Sequence, residues 1–567
     1  MQGVDLVVRA LKTEGIDTIF VIAGDHTLTL MDRMADEGFR FIDTRHEQAA
    51  VDMANAYGRI TGKPGVTMFT TPGHANAIPG LTMAHHMESP VINIVGCAAQ
   101  ERLGQGAAQE LDQVGMAKPV TKGAWLIPDP DRITDMFATA FRTALEGRRG
   151  PMHLTIPVDV QEAAVAESRI EFHRPDEYRS SAQRPTDPAT ASAIVDLLHD
   201  AKRPMILASN GAHSVSPEDL TRLIEITGIP VFTEEAARGI VADDHPLCFG
   251  FADLRVSEVA AHLGDADTIL MLGKKLDSTI NFGQPPALNK DVRIIQVESS
   301  AGLIGLSRGV TLSVNEDPAA VVRQLIPEAE KRHWAAHPLR SEMESTASAL
   351  KSRLDALAPD SAPLHSMSVH RALTPMLDRD TALIFEGSDF GFYGATYHPS
   401  YRPSRWFTVG TMGMIGWGVP YGLGARIALP DSKVVVLSGD GSFGFNAMEI
   451  DTAVRHGLDI VVVVGVDGVW GIDYHQQVQL YGKAVSTELP PARYDKLAES
   501  LGAHGEYVDQ PDQLQGALQR AFATKGPSVV NVRTAPSPSP RTQHTLNLKG
   551  NSPKEGRAGG HSLLPGV

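Results

Sequence analysis

Short apolar segments, most of them rich in Val, Ile and Leu, recur along the chain and alternate with segments that have helical patterning. Such runs favour buried β-strands, because a strand covered on both faces carries apolar residues at consecutive positions. Their alternation with helices predicts parallel sheets with helices on both faces. The predicted strands cover residues 18–22, 66–70, 91–95, 153–157, 204–208, 268–272, 292–297, 383–385, 434–437 and 460–464.

Two polar segments divide these strands into three groups. Residues 169–188 are charged, contain proline and lack periodicity, so we interpret them as a linker, and residues 331–362 form a polar helical connector. A chain of 567 residues is also too long for one hydrophobic core. The sequence therefore predicts an α/β protein with three consecutive doubly wound parallel-sheet domains and a tail that is flexible by composition. The predicted boundaries are 1–165, 188–330, 363–534 and, for the tail, 535–567.

Acidic residues follow two predicted strands in the third domain. The motif Gly439-Asp440-Gly441-Ser442 comes after the strand 434–437, and Asp467 comes after the strand 460–464. The carboxyl ends of adjacent parallel strands meet at one edge of a sheet, so the two carboxylates should lie close together beside a helix N-terminus. Carboxylate oxygens are ligands for Mg²⁺, and a helix N-terminus favours phosphate. The motif therefore predicts a site for Mg²⁺ and a diphosphate group.

The overall composition narrows the class of protein. The net charge of −16 argues against nucleic acid or an anionic membrane as a general partner. No apolar run reaches membrane-spanning length, and the N-terminal segment lacks the pattern of a secretory signal. The two cysteines, Cys97 and Cys248, fit reduced buried thiols. We therefore expect a cytoplasmic enzyme.

Three further motifs extend the picture: RHEQAA at residues 45–50, TPGHAN at 71–76 and GTMGMIGWGVP at 410–420. Together with the motif at Asp440, they resemble the thiamine diphosphate-dependent enzymes over nearly the whole chain. The metal motif of that family usually ends in two asparagines. This chain has Val466-Asp467 instead, which adds a negative charge that faces the anionic diphosphate.

The resemblance implies roles for individual residues. Glu47 would hold the aminopyrimidine ring and drive its imino tautomer, the Gly413 carbonyl would face the amino group, and Ile415 would lie between the two rings. In this family the glutamate and the metal motif of one site come from different subunits, so a homodimer, usually within a homotetramer, is the implied active unit. The implied Mg²⁺ ligands are Asp440, Asp467 and Val469, and the other predicted cofactor contacts are Asn76, Gly387, Ser388, Gly439, Gly441 and Ser442.

Three local features bear on the substrate. Ala108 stands where acetolactate synthases commonly place a bulky Phe, which leaves room beside the cofactor. Ala107, Ala108 and Gln109 are therefore predicted to contact the substrate. Lys274 and Lys275 follow a predicted strand, where they could meet a nucleotide phosphate or form a solvated turn. The tail is basic in an otherwise acidic chain, and it is either a disordered segment or a lid that orders over coenzyme A. Its basic residues are Arg541, Lys549, Lys554 and Arg557.

These features are most similar to 2-hydroxyacyl-CoA lyases and oxalyl-CoA decarboxylases. The implied reaction is reversible cleavage of a 2-hydroxyacyl-CoA to formyl-CoA and an aldehyde or ketone, with thiamine diphosphate and Mg²⁺ as cofactors. One acid–base group must take a proton from the 2-hydroxyl and return one to the product carbon. Asp473 is the first candidate and Glu488 the second, and Gln109 is also assigned to the catalytic set. The alternatives are an acetolactate synthase-like carboligase, which usually also binds FAD, and a cofactor-binding scaffold with little activity.

Overall fold

A computed structural model of the chain describes residues 1–179, 185–387 and 389–550. It contains three six-stranded sheets that follow one another along the chain. Every strand pairing within these sheets is parallel. The predicted α/β class with three parallel-sheet domains is therefore confirmed.

The first sheet has the strand order β2-β1-β3-β4-β6-β5. Its strands are β1 Thr18–Val21, β2 Arg40–Asp43, β3 Gly65–Phe69, β4 Val91–Cys97, β5 Gly123–Leu126 and β6 Met152–Pro157. The helices of this part of the chain are α1 Gly3–Thr13, α2 Leu28–Asp36, α3 Glu47–Thr61, α4 Thr71–His86, α5 Gln113–Ala117, α6 Ile133–Leu145, α7 Val158–Glu162 and α8 Pro175–Tyr178.

The second sheet has the order β12-β11-β10-β7-β8-β9, so the chain changes direction across the sheet between β7 and β10. Its strands are β7 Pro204–Ala208, β8 Val231–Thr233, β9 Cys248–Phe251, β10 Thr268–Leu272, β11 Arg293–Val297 and β12 Leu312–Val314. The accompanying α-helices are α9 Pro188–His199, α10 Pro217–Thr227, α11 Pro318–Ala329 and, in the connector, α12 Arg340–Ala356.

The third sheet has the order β14-β13-β15-β16-β18-β17, with its change of direction between β13 and β15. Its strands are β13 Ala382–Glu386, β14 Trp406–Thr408, β15 Val434–Gly439, β16 Val461–Val466, β17 His504–Val508 and β18 Ser528–Arg533. The helices are α13 Ser366–Leu373, α14 Asp389–Tyr397, α15 Gly418–Ala428, α16 Asp440–Phe443, α17 Glu449–His456, α18 Gly471–Tyr481, α19 Tyr494–Ser500, α20 Pro511–Ala523 and α21 Pro540–Gly550.

The first and third domains share a hydrophobic core. Helix α3 packs against α4 of its own domain and against α15 of the third. Buried Val51 and Met53 belong to the same apolar cluster as Trp417 and Tyr421. Burial of these large side chains from both domains stabilises their arrangement through the hydrophobic effect.

The largest departure from prediction lies at the C-terminus. Residues predicted to be a flexible tail form the helix α21, which packs against α14 and α18. Lys549 lies at the end of this helix, and Lys554 and Arg557 lie outside the described residues. Within the described part of the chain, no helix combines the length and apolarity needed to cross a membrane.

Candidate active site

A cavity of about 290 Å³ opens at the carboxyl edge of the third sheet. It lies beside the point where the chain changes direction between β13 and β15, which is where parallel α/β sheets usually bind ligands. Many of the predicted cofactor residues meet there, although they are scattered over more than 80 positions of sequence. Those that line the cavity are Gly387, Gly413, Ile415, Gly439, Asp440, Gly441, Ser442, Asp467 and Val469, together with Asp473.

Asp440 is held by the backbone at the end of β15. Its carboxylate accepts hydrogen bonds from the Gly441 and Gly468 N–H groups, each at 2.9 Å. The side chain is only 3% exposed, and burial raises its pKa above the ordinary value. Both hydrogen bonds favour the charged form, which leaves an oriented but incompletely compensated carboxylate in the cavity.

Asp467 lies beside Asp440 at the end of the adjacent strand β16. It accepts a hydrogen bond from the Val469 N–H at 3.1 Å. Burial raises the pKa of Asp467 to about 8, and the negative charge of Asp440 contributes to this shift. A buried carboxylate and a half-buried one that repel each other fit a divalent cation placed between them.

The remaining ligands of such a cation would not be acidic side chains. Among the residues that the structure describes, no three His, Cys, Asp or Glu side chains form a metal-binding group. A cation held by Asp440 and Asp467 would therefore complete its shell with backbone carbonyl, diphosphate and water oxygens. A Cβ atom at Gly387 would lie 2.9 Å from the Gly439 nitrogen, so a side chain at position 387 would collide with the backbone at the end of β15.

The loop that carries Gly413 and Ile415 is anchored by Glu386, a residue of the segment 386–388 for which no positioning role was predicted. The buried Glu386 carboxylate accepts from the Gly416 N–H at 2.7 Å and from the Ser438 hydroxyl at 2.9 Å. Burial raises the pKa of Glu386. Its position in the strand before Gly387 is a signal that could have indicated this positioning role.

Glu47 lies at the start of α3 and accepts a hydrogen bond from Asn76 Nδ2 at 3.0 Å. The backbone that leads into this helix is held by Glu449, whose carboxylate accepts from the Arg45 and His46 N–H groups, each at 3.0 Å. Glu47 is not one of the described residues that line the cavity of its own chain. This placement is compatible with the prediction that Glu47 contributes to the active site of a second subunit.

The C-terminal segment closes one side of the cavity. The buried Asp389, at the start of α14, accepts from the Ser539 N–H at 2.8 Å and from the Thr542 hydroxyl at 2.6 Å. These contacts bring Arg541 into the cavity wall, where its guanidinium packs 4.2 Å from the centre of the Phe392 ring. The composition of the segment concealed this helix, because its anchoring partner Asp389 lies 150 residues earlier in the chain.

The predicted acid–base residues are placed differently from one another. Asp473 lines the cavity, whereas Glu488 is exposed and is not among the described lining residues. His475, which the sequence analysis did not select, has its Nε2 atom 3.8 Å from Asp389 Oδ2. Burial lowers the pKa of His475, so the ring tends towards the neutral form.

The predicted substrate loop lies on the surface of the single chain. Ala108 and Gln109 are exposed, and Ala107 is half-buried. The Glu110 carboxylate organises this loop by accepting from the Gly106 and Ala107 N–H groups at 2.9 and 3.0 Å. The structure does not bring Gln109 to the cofactor cavity of its own chain, so its catalytic role stays a prediction.

Lys274 and Lys275 are paired with carboxylates within the chain, and their contact with a nucleotide phosphate stays a prediction. Lys274 is buried and lies 2.7 Å from Glu234 and 2.9 Å from Asp277. Lys275 forms an ion pair with Glu88. The cavity that both lysines line has a volume of only about 50 Å³, much smaller than a nucleotide. Ser388, the other predicted diphosphate contact beside Gly387, lies outside the described residues.

Comparison with known families agrees with this architecture. The chain matches the N-terminal, central and C-terminal domains of the thiamine pyrophosphate enzymes at residues 1–116, 191–325 and 388–532, respectively. The chain belongs to this family of enzymes, whose N- and C-terminal domains are described as TPP-binding, TPP being thiamine diphosphate.

Similar individual proteins carry two kinds of name. A probable acetolactate synthase of Mycobacterium bovis is 34% identical over 95% of this chain and 96% of its own length. A 2-hydroxyacyl-CoA lyase of Arabidopsis thaliana is 32% identical over 96% of this chain and 98% of its own. The human 2-hydroxyacyl-CoA lyase 1 is 27% identical, with 96% of each chain covered.

Proposed function

We propose that this enzyme uses thiamine diphosphate and Mg²⁺ to cleave a 2-hydroxyacyl-CoA reversibly into formyl-CoA and an aldehyde or ketone. The observation that carries the proposal is the docking of α21, which brings Arg541 into the wall of the cofactor cavity. A guanidinium at this position suits a substrate that carries phosphate or another anionic group, because arginine pairs with such groups through two parallel hydrogen bonds.

The cavity residues fit the cofactor as well as the substrate. Asp440 and Asp467 would hold Mg²⁺, and Gly387, Gly441 and Ser442, which line the same cavity, would contact the diphosphate. Ile415, which also lines the cavity, would position the rings. Thiamine diphosphate, when bound, supplies a carbon nucleophile and a sink for the electron pair of the broken carbon–carbon bond.

Proton transfer falls to side chains of the protein. Glu47 would exchange a proton with the aminopyrimidine ring, and a homodimer would be required because Glu47 does not line the cavity of its own chain. Asp473 lines the cavity and would accept the proton of the 2-hydroxyl group and return it to the product carbon.

The proposal is tested by incubating the purified protein with thiamine diphosphate, Mg²⁺ and a panel of 2-hydroxyacyl-CoAs, and by measuring formyl-CoA. Arg541→Gln should raise the Michaelis constant for acyl-CoA several-fold and leave thiamine diphosphate affinity unchanged. Arg520→Gln is a matched control, because Arg520 is exposed and paired with Glu506 on the surface. Absence of formyl-CoA with every substrate of the panel would contradict the proposal.

A second candidate is an acetolactate synthase-like carboligase, which the 34% identity to the mycobacterial protein favours. That reading predicts formation of acetolactate from pyruvate and, in many enzymes of this type, flavin absorbance of the purified protein. The ion pairs at the carboxyl edge of the middle sheet argue against a flavin there, because Lys274 is buried between Glu234 and Asp277. Acetolactate formation by a colourless protein would therefore favour a carboligase that works without flavin.

A further inference from the structure

A second cavity, of about 300 Å³, lies where the three domains meet. It is formed by the end of α3 and the segment around Arg149 in the first domain, by the loop after β7 in the second, and by Pro403 and Ser404 in the third. Its described lining shares no residue with the lining of the cofactor cavity. A function for this cavity is therefore independent of the proposed reaction.

Arg59 contributes a buried guanidinium to this cavity. It lies in the last turn of α3, and its side chain is only 7% exposed. The nearest ion-pair contact joins it to Glu235 at 3.9 Å, at the limit for such a pair. Its Nη1 atom is buried and has no hydrogen-bond partner among the described residues. An unsatisfied buried donor of this kind costs free energy, which a bound acceptor would recover.

Arg149 contributes a second guanidinium with the same property. Within the described part of the chain, its Nε atom is buried and lacks a hydrogen-bond partner. Burial lowers the pKa of Arg149, and the charge of Asp317 offsets this shift only in part. The protein therefore places two arginines in one cavity without compensating them fully, which is unusual for buried charges.

The other ionisable groups of the cavity do not supply the missing acceptor. Glu88 lines it, but the carboxylate already bonds Arg148 at 2.7 Å and pairs with Lys275. Burial and the charge of Arg149 lower the pKa of His213 to about 4, so the ring is neutral at physiological pH. The positive charge of Arg59 and Arg149 consequently dominates the cavity.

We infer that this cavity binds the phosphate group of a small phosphorylated metabolite. Two guanidinium groups match the several acceptor oxygens of a phosphate, and arginine is well suited to this geometry. A volume of about 300 Å³ exceeds what a phosphate ion needs and lies at the lower end of small-molecule pockets. The polar side chains of Thr61, Asn210 and Ser404 and the apolar side chains of Ile60, Met87 and Pro90 would contact the rest of the molecule.

The C-terminal end of α3 explains in part why Arg149 is buried in this cavity. Arg149 Nη1 lies 3.7 Å from the position of a Cβ atom built at Gly62, the residue that ends α3, and cations are favoured at helix C-termini. This interaction does not give Arg149 Nε an acceptor. It also gives no acceptor to Arg59 Nη1, which is buried and without a partner among the described residues.

The test uses the enzyme loaded with thiamine diphosphate and Mg²⁺, so that the diphosphate site is occupied. Calorimetric titrations with glycerol 3-phosphate, inorganic phosphate and succinate compare the wild type with Arg149→Gln and Arg59→Gln. Arg222→Gln is the control, because Arg222 is exposed and pairs with Glu330 on the surface. We expect glycerol 3-phosphate to bind, and each cavity variant to weaken it roughly tenfold or more.

The outcomes separate the possible ligands. Tighter binding of glycerol 3-phosphate than of inorganic phosphate supports a metabolite, and equal binding identifies free phosphate as the ligand. Succinate binding as tight as glycerol 3-phosphate, or equal losses in Arg149→Gln and Arg222→Gln, would overturn the inference. Because Arg149→Gln removes a buried charge, its melting temperature without phosphate should not fall. Arg59→Gln provides the same binding readout if Arg149→Gln does not fold.

Discussion

The middle and third sheets have the same kind of parallel topology, but their switch points, where the chain changes direction, differ. In the third sheet, Asp440 and Asp467 line a cavity of about 290 Å³ and, among the described residues, neither is shown in an ion pair; the charge of Arg533 offsets the raised pKa of Asp440 only in part. In the middle sheet, the charged groups at the corresponding position are paired within the chain. A Cβ atom at Gly273 would lie only 2.2 Å from the Gly211 carbonyl carbon, and Lys274 is paired with Glu234 and Asp277.

The difference shows how charge compensation separates a binding site from a structural contact. Buried charges that are paired within the chain hold domains together, as Arg148 does by linking Glu88 of the first domain to Glu298 of the second at 2.7 and 2.5 Å. The repulsion between two neighbouring carboxylates is relieved when one of them is protonated or when a cation binds between them. Removing a charge should therefore have opposite effects at the two places.

The largest effect is expected for Glu298→Gln. The carboxylate is fully buried and bonds Arg148, so its neutralisation leaves a buried guanidinium with one acidic partner that is shared with Lys275. Breaking a buried ion pair in this way costs about 3–5 kcal/mol. The free energy of unfolding from urea denaturation measures it, with Glu330→Gln as the control for an exposed pair, expected to cost less than about 1 kcal/mol. Equal losses in both variants would remove the distinction drawn here.

Sequence patterns identified the fold and part of the site for physical reasons. Buried central strands such as β16 are apolar at consecutive positions, whereas edge strands such as β14 and β17 are short or partly exposed and were not predicted. The motif around Asp440 was recognisable because its residues are adjacent in sequence. The pairing of Lys274 with Glu234 depends on contacts between distant residues, and no local pattern could distinguish a paired lysine from a free one.

The next effect in size is expected for Glu47→Gln. In the described part of the chain, Glu47 is neither part of an internal ion pair, as Glu298 is, nor one of the repelling carboxylates at the cavity. Glu47 accepts from the neutral amide of Asn76 at 3.0 Å; among the described residues it has no ion-pair partner, and it is not one of those that line the cavity with Asp440. If Glu47 exchanges a proton with the cofactor, Glu47→Gln should reduce turnover by about 100-fold or more, because the new side chain cannot exchange that proton. Thiamine diphosphate affinity and the melting temperature should be preserved. A rate near that of the wild type would show that Glu47 is not the activating acid.

A smaller effect is expected at Asp467, and two substitutions distinguish its contributions. Asp467→Ala removes a metal ligand and should weaken cofactor binding in the presence of Mg²⁺ by roughly tenfold, the loss of about one charged contact. Asp467→Asn keeps an oxygen ligand and removes the repulsion from Asp440, so its cofactor affinity should equal or exceed that of the wild type. Titration of each metal-free protein with cofactor and Mg²⁺, followed by tryptophan fluorescence, measures both. Equal binding by the Ala variant and the wild type would exclude Asp467 as a ligand.

The smallest effect concerns the pH dependence of stability without metal and cofactor. The pKa of Asp467 is about 8 in the folded protein, against 3.8 for an unperturbed carboxyl, because burial and Asp440 disfavour its charged form. Between these two pH values the folded state binds more protons than the unfolded state, so this group makes stability fall as pH rises through the window. Other buried acids, Glu235 and Glu449 among them, have raised pKa values and act in the same direction. The pH dependence of the wild type alone therefore cannot be assigned to Asp467.

The side chain of residue 467 in Asp467→Asn cannot titrate, so the melting temperature of this variant should fall less between pH 5.5 and pH 8 than that of the wild type. Mg²⁺ and thiamine diphosphate should remove most of this difference, because a bound cation stabilises the charged carboxylate. If the melting temperatures of the two metal-free proteins change equally with pH, Asp467 is already ionised at pH 5.5. The repulsion between Asp440 and Asp467 would then be too weak to distinguish the third sheet from the middle one.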